Sequence, residues 1–159
     1  MTRSAQLFAD DLPVGFRFRG EERALTEERF RQFSAMTGDA HPIHYDSAYA
    51  ANTRFGRPIA HGLLLTSLTA LGATVMSSSF ENSMIAMVEQ RWQFRSPAFV
   101  GDVVVAEYEV VSNSTTSNGR SARIEIGVTL RNQAGACLLE GCHVYLFRRR
   151  TGGASTAEE

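Results

Sequence analysis

The sequence contains no lysine: all 16 of its basic residues are arginines, set against 17 acidic residues. The absence of a side-chain amine excludes catalysis through a lysine Schiff base. The formal net charge of −1 provides no basic surface field. The composition therefore argues against general binding to nucleic acid or to an anionic membrane.

The sequence contains two cysteines, Cys137 and Cys142. Both fall in one predicted strand, where side chains five residues apart point to opposite faces and lie roughly 16 Å apart. A disulfide between them is therefore excluded, because bonded cysteines need Cα atoms much closer together. Free thiols are typical of a reducing compartment.

Long apolar runs are missing as well. The N-terminal residues meet acids before any such run, which does not fit a secretory signal. The most apolar segment, residues 61–77, includes threonine, serine and glycine and is short for a bilayer span. The sequence therefore predicts a cytoplasmic protein with no membrane segment.

The length of 159 residues predicts one domain with its own core. Residues 13–148 carry the regular hydrophobic patterns of that domain. Residues 1–12 show little pattern and are expected to trail on the surface as an N-terminal extension. Residues 149–159 lack large apolar side chains and are expected to form a flexible tail.

Three helices are predicted from capping residues and spacing. The first begins after Thr26, a good N-cap, and ends at Gly38, which can adopt the left-handed conformation. Asp46 can cap a short second helix over residues 47–51. The third and longest covers residues 61–77, because one apolar stripe runs along it. The stripe consists of Leu64, Leu68, Leu71 and Val75.

After residue 79 the hydrophobic period changes from 3.6 to 2, which indicates strands. Four are predicted, over residues 85–95, 103–111, 121–131 and 137–147, with a hairpin turn at Asn118-Gly119. An earlier short strand includes Phe16 and Phe18. This order predicts an α+β fold in which the long helix packs on the concave face of an antiparallel meander.

The last predicted strand carries His143, Tyr145 and Phe147 on one side, which we expect to be the outer face of the sheet. An exposed apolar face indicates a partner surface. A homodimer or a higher homo-oligomer is therefore expected.

Asp39 and His44 are the first candidates for chemistry. Gly38 presents Asp39 directly after a helix end, and Pro42 pushes His41 out of helical conformation, so residues 39–44 are expected to form an extended or turning loop. Both side chains can point into one cleft, where an acid and an imidazole can activate a water and return a proton. The alternative is that Asp39 only caps local backbone and that His44 is a packed loop histidine.

Gly62 lies at the start of the longest predicted helix, where backbone N–H groups lack partners within the helix. Without a side chain, it lets a ligand oxygen approach those donors, an arrangement that suits a carbonyl oxygen gaining negative charge. The alternative is that Gly62 is an ordinary N-terminal glycine and that His61 is a capping or stacking residue.

A metal site is a third interpretation, because His41, His44, Asp46 and His61 include the spacing H-x-x-H-x-D. Pro42 separates the first two histidines, however, so they do not share a helix face, and no cysteine lies nearby. We predict no metal and no other cofactor. A serine triad is also disfavoured, because no serine stands in a G-x-S-x-G motif.

Residues 33–46 (FSAMTGDAHPIHYD) and residues 55–62 (FGRPIAHG) resemble the MaoC-like dehydratases. This family of hot-dog-fold hydratases and dehydratases includes the (R)-specific enoyl-CoA hydratases. The similarity continues through residues 93–102 (QFRSPAFVGD) and extends over residues 13–147. It implies a hot-dog fold, in which an antiparallel sheet wraps a long central helix and subunits dimerise sheet to sheet.

The resemblance also implies the roles of three residues. Asp39 and His44 match the family's catalytic pair, which holds the reacting water, and Gly62 matches the glycine whose N–H binds the thioester oxygen. The implied reaction is hydration of a trans-2-enoyl thioester, or dehydration of a 3-hydroxyacyl thioester, carried on CoA or acyl carrier protein. A hot-dog thioesterase and a non-catalytic acyl-thioester-binding protein are the alternatives.

Two positions depart from the family pattern. His41 stands where many members have asparagine, and Ala70, with Thr69 beside it, stands where some (R)-hydratases have serine. The second departure bears on any function that depends on that hydroxyl.

Overall fold

The structure, a computed structural model, describes residues 5–150. Its strands are β1 (Arg17–Arg19), β2 (Arg23–Ala24), β3 (Met84–Phe94), β4 (Val103–Thr115), β5 (Ser121–Asn132) and β6 (Cys137–Arg148). They form one antiparallel sheet in the order β1-β4-β5-β6-β3, and β2 also pairs with β4. The α-helices are α1 (Glu27–Thr37), α2 (Ser47–Ala51) and α3 (Gly62–Ser67).

The predicted ends of α1 and α2 are confirmed. The Thr26 hydroxyl accepts an N–H of the first turn at 3.2 Å, and Gly38 ends α1 with a φ of 79°. This left-handed conformation favours glycine because it has no Cβ. The Asp46 carboxylate caps α2. Contacts between near neighbours thus stop α1 directly before the segment that carries Asp39.

The core lies between the helices and the inner face of the sheet. The inward residues predicted for β5 are each at most 2% exposed: Ala122, Ile124, Ile126, Val128 and Leu130. Phe30 and Phe33 of α1 and Leu64 of α3 belong to the same buried cluster. Removal of this apolar surface from water supplies the main favourable contribution to folding. The α+β class and its antiparallel sheet are confirmed.

The long helix predicted over residues 61–77 is wrong, because α3 ends at Ser67. The hydroxyl of Thr69 donates to a carbonyl of the preceding turn at 2.6 Å, and the Tyr108 hydroxyl donates to the Thr69 carbonyl at 3.0 Å. Side-chain hydrogen bonds therefore replace the backbone bonds that would continue the helix. Short 3-10 turns follow at Leu71–Ala73 and Ser77–Phe80.

The four long strands do not form the predicted meander. β4, β5 and β6 follow one another, but β3 lies at the far edge of the sheet and pairs with β6. The link from β3 to β4 runs along the segment before α3: the Ala60 N–H donates to the Ala98 carbonyl at 2.8 Å, and Ile59 bridges Phe99. These contacts hold the link between β3 and β4 as it crosses the sheet. β5 and β6 therefore lie between β3 and β4.

The outer-face prediction for His143, Tyr145 and Phe147 is also wrong, because these side chains are 1%, 4% and 0% exposed. His143 pairs with Ile126 and Tyr145 with Ile124. Residues directly opposite each other on antiparallel strands share a face, so all of them face the core. The other face of the sheet carries arginine–glutamate ion pairs.

The two ends of the described chain differ from the prediction as well. Ala9 and Leu12 are each 1% exposed, so this part of the predicted N-terminal extension packs on the domain instead of trailing on its surface. Arg149, assigned to the tail, contacts Asp10 at 2.7 Å. The rest of the predicted tail, residues 151–159, lies outside the described residues, as do residues 1–4.

Cys137 and Cys142 are both free, as predicted. Burial raises the pKa of the Cys142 thiol, which keeps it protonated near neutral pH. Among residues 5–150 no helix is long and apolar enough to cross a membrane.

Acid should destabilise the protein through His143, because burial lowers its pKa from 6.5 to about 4. Between these two pH values the unfolded chain binds a proton that the folded protein does not. The free energy of unfolding should therefore fall by up to about 3 kcal/mol as the pH drops from 6.5 to 4. Urea denaturation at a series of pH values measures this change.

His143→Gln is the comparison variant, because an amide can still donate to the Thr69 hydroxyl but does not titrate in this range. Its stability should depend less on pH than that of the wild type. The lowered pKa of His61 acts in both proteins and cancels in the difference. Equal pH dependence in the two proteins would contradict the role given to His143.

Candidate active site

Asp39 begins an exposed loop immediately after α1. Its N–H donates to the Thr37 hydroxyl at 3.3 Å, and its Oδ1 accepts the N–H of His41 at 3.3 Å. These bonds hold the backbone on both sides of the residue. The side chain is exposed, so the carboxylate keeps acceptor capacity toward solvent or a ligand.

His44 ends a 3-10 turn, Pro42–His44, and its Nδ1 lies 2.7 Å from the carbonyl oxygen of Ile59. A carbonyl oxygen can only accept, so Nδ1 carries the proton in this contact. The neutral ring therefore has an unprotonated Nε2, which can accept a proton. The fold thus selects the tautomer that a general base needs.

The structure brings Asp39 and His44 together, as their spacing predicted. Asp39, His44 and His61 each offer one side-chain atom, and these atoms lie within 4.8 Å of one another. A water makes hydrogen bonds of about 2.8 Å, so one water can bridge a carboxylate and an imidazole at this separation. The catalytic roles of the two residues stay predictions.

The same three groups are also the candidates for a metal site. The rings of His44 and His61 stack with centroids 3.8 Å apart and planes inclined by 27°. Each nitrogen lone pair lies in the plane of its ring, so two stacked rings direct their lone pairs within separate planes and not at one ion between them. His41 and Asp46, the other histidine and acid of the metal interpretation, accept backbone N–H groups as helix caps.

Gly62 is the first residue of α3, and the His61 side chain does not cap this helix. Within residues 5–150 the Gly62 N–H has no acceptor. The Phe94 ring lies against the glycine, since a Cβ at this position would be 2.9 Å from Phe94 Cζ. Because α3 has only six residues, any donor strength here comes from the N–H itself more than from a helix dipole.

Of the two roles predicted for His61, capping and stacking, the structure shows stacking: its ring lies on His44, and its side chain does not cap α3. It is 1% exposed and packs on Phe33 as well as on His44. Burial and, after it, the neighbouring His44 lower the pKa of His61, so its ring is neutral near pH 7.

Tyr45 is a site residue that no sequence pattern indicated. Its hydroxyl lies 2.5 Å from Nε2 of His61 and 3.1 Å from the backbone carbonyl of Asp39. The one available signal was its position directly after His44 in a segment dense in histidine and acid.

A cavity of about 200 Å³ opens beside His44, and its walls include Phe30, Pro58 and Phe99. The guanidinium of Arg57 lies over the Phe99 ring at 3.8 Å. Charged and polar side chains line the rest of the cavity, among them Glu27, Arg31 and Ser47, and neither Asp39 nor Gly62 is part of its lining. A larger cleft of about 1150 Å³ on the other face of the sheet contains neither Asp39 nor His44.

Thr69 does not supply the hydroxyl that Ala70 lacks. Its side chain is fully buried, donates to a backbone carbonyl and lies 3.3 Å from Nε2 of His143. The site therefore has no hydroxyl at the position where some (R)-hydratases have serine.

The chain is similar in sequence to known proteins. The family model described as MaoC-like domain matches residues 13–132. The (R)-specific enoyl-CoA hydratase of Aeromonas caviae is 38% identical over 104 residues, which are 65% of this chain and 75% of that protein. The 3-hydroxybutyryl-CoA dehydratase of Methylorubrum extorquens is 32% identical over 104 residues, which are 65% of this chain and 64% of that protein.

Solved structures share its fold. A monoamine oxidase regulatory protein of Archaeoglobus fulgidus matches with a TM-score of 0.84 and 27% identity, over 95% of this chain and 100% of that chain. A Mycobacterium tuberculosis protein with a double hot-dog fold matches with a TM-score of 0.75 and 19% identity, over 92% of this chain and 46% of that one. The second match shows the fold alone. The predicted hot-dog fold is confirmed, with a shorter helix than expected.

Proposed function

The chain belongs to the MaoC-like domain family, and on that premise we propose that it adds water reversibly to a trans-2-enoyl thioester. The placement of Asp39 and His44 within reach of one water carries the proposal. The Aeromonas caviae relative, named as an (R)-specific enoyl-CoA hydratase, supports it. The proposed substrate is carried on CoA or acyl carrier protein, and the proposed product is an (R)-3-hydroxyacyl thioester.

In the proposed mechanism, one water bridges the Asp39 carboxylate and Nε2 of His44. As the water oxygen bonds to C3, its proton passes to this pair, and the pair delivers a proton to C2. The thioester oxygen gains negative charge between the two steps, and the Gly62 N–H donates to it. The overall reaction adds OH to C3 and H to C2, and the reverse reaction removes water.

Asp39→Asn and His44→Gln should each lower kcat for crotonyl-CoA hydration by about 100-fold or more, because each removes one of the two groups that hold water and move its proton. The absorbance of the enoyl thioester measures the rate. Thermal unfolding checks the fold, because His44 is half-buried and its Nδ1 contacts the Ile59 carbonyl.

His41→Asn is the matched control, because His41 lies in the same loop and makes a local capping bond that asparagine can replace. It should retain most of the activity. Wild-type rates in both Asp39→Asn and His44→Gln would overturn the proposed pair. Release of free CoA thiol without hydration would identify a thioesterase instead.

Gly62→Pro tests the backbone donor directly. Proline is tolerated at the first helical position, and His61 already has the extended conformation (φ −62°, ψ 135°) that a following proline requires. The substitution should lower kcat by about 100-fold or more, because it removes the N–H.

Gly62→Ala is the control for this experiment. It places a Cβ against Phe94, as proline does, but keeps the N–H. It should therefore remain much more active than Gly62→Pro. Equal losses in the two variants would assign the effect to crowding against Phe94 and would remove Gly62 from the mechanism.

We also propose that the protein is a homodimer that pairs along the outer edge of β3, which pairs with no other strand of residues 5–150. This edge strand carries five hydrophobic side chains that are each at least 38% exposed: Met84, Ile85, Met87, Val88 and Phe94. An apolar edge strand is an aggregation hazard unless something covers it. A second copy paired antiparallel along this edge would bury these side chains and extend the sheet. Because Phe94 lies against Gly62, the interface would adjoin the proposed site.

Val88→Lys should convert the dimer to a monomer, because a charge in the centre of the edge opposes pairing. Gel filtration with light scattering measures the mass. Val14→Lys is the control, because Val14 is 65% exposed outside the sheet and should leave the dimer intact. A monomeric wild type, or a dimeric Val88→Lys variant, would refute pairing through this edge.

A further inference from the structure

Tyr45 and His61 together contact both members of the proposed catalytic pair. The His61 ring stacks on His44 at 3.8 Å, and its Nε2 lies 2.5 Å from the Tyr45 hydroxyl. That hydroxyl lies 3.1 Å from the backbone carbonyl of Asp39. The unit formed by Tyr45 and His61 therefore contacts the His44 imidazole through the His61 ring, and it contacts the Asp39 backbone through the Tyr45 hydroxyl.

The positions of the protons in this unit follow from its hydrogen bonds. His61 Nδ1 is buried and has no partner among residues 5–150. A buried N–H without an acceptor is rarely tolerated, so the proton of the neutral ring belongs on Nε2. Nε2–H then donates to the Tyr45 oxygen, and the Tyr45 hydroxyl proton is left for two backbone carbonyls, that of Asp39 at 3.1 Å and that of Phe30 at 3.2 Å. The chain of donors therefore runs from His61 through Tyr45 to the backbone of the loop and of α1.

Neither residue can act on a substrate through these groups. The donor of His61 is engaged with Tyr45, and its ring is 1% exposed between His44 and Phe33. The hydroxyl of Tyr45 is engaged with His61 and with the backbone carbonyls of Asp39 and Phe30. Their influence on a reaction must pass through Asp39 and His44.

We infer that Tyr45 and His61 form a positioning pair, which aims Nε2 of His44 and the Asp39 carboxylate at the same water. The inference rests on the proposed function of those two residues. His61 limits rotation of the His44 ring by stacking, while the Ile59 carbonyl holds Nδ1. Tyr45 holds the loop at Asp39. Small displacements of a reacting group of about 1 Å can cost about 100-fold in rate.

Tyr45→Phe is the primary test, because it removes one oxygen atom and keeps the ring. It should lower kcat for crotonyl-CoA hydration by about 10-fold or more and leave KM nearly unchanged, because binding contacts remain while the alignment is lost. Tyr49→Phe is the matched control: Tyr49 packs near His41, is 43% exposed and should keep wild-type kcat.

Two His61 variants separate the hydrogen bond from the stacking. His61→Gln keeps a donor toward Tyr45 but loses the ring, whereas His61→Phe keeps a ring and loses the donor. Both should lower kcat, because the pair uses both contacts. The double variant Tyr45→Phe/His61→Phe should be no slower than the slower single variant, since both changes break one shared bond.

The ring ¹⁵N signals of His44 provide a readout that needs no substrate. The wild type should show a single Nδ1–H tautomer, and His61→Gln, which loses the ring stacked on His44, should show a tautomer mixture. Wild-type kcat in Tyr45→Phe and in both His61 variants would overturn the inference. So would rate losses that merely follow lower melting temperatures while the His44 tautomer is unchanged. If the wild type hydrates no thioester, the proposed function fails, and the His44 signals still test the pair.

Discussion

The backbone contacts of Ile59 are the constraint on which both the site and the sheet order depend. Its N–H donates to the Ile43 carbonyl at 3.2 Å, and its carbonyl accepts the Nδ1 proton of His44. On its other side Ile59 bridges Phe99, in the link between β3 and β4. One residue therefore ties the loop of Asp39 and His44 to the crossing that places β3 at the sheet edge.

Buried polar side chains account for the shape of the chain after α3. Polar groups removed from water are costly unless they are hydrogen-bonded. Thr69, Tyr108 and Nε2 of His143 meet this requirement through one another and through backbone carbonyls, whereas Nδ1 of His143 has no partner among residues 5–150. The same bonds interrupt the helix. The polar network and the short helix are thus one feature, in which the sheet contributes side chains that compete with helical backbone bonds.

The parts of the site that sequence patterns indicated depend on short-range signals. Gly38 ends α1 and Pro42 keeps His41 out of helical conformation, so Asp39 and His44 were expected on a short turning segment that can bring them together. In the structure this segment includes the 3-10 turn Pro42–His44. Tyr45 had no comparable signal. Two of its three hydroxyl partners, Phe30 and His61, lie 15 and 16 residues away in opposite directions along the chain. The hydrophobic periodicity of the sequence does not predict where the Tyr45 hydroxyl lies in the folded protein.

The sequence alone specified the features that act over a few residues: the caps at Thr26 and Gly38, the alternation of β5 and the loop that carries Asp39 and His44. It also identified the two faces of β6 but not the face that meets the core. That choice depends on register with β5, which pairs His143 with Ile126. The edge position of β3 and the stacking of His61 on His44 likewise depend on the fold, because each arises between residues that are distant in the chain.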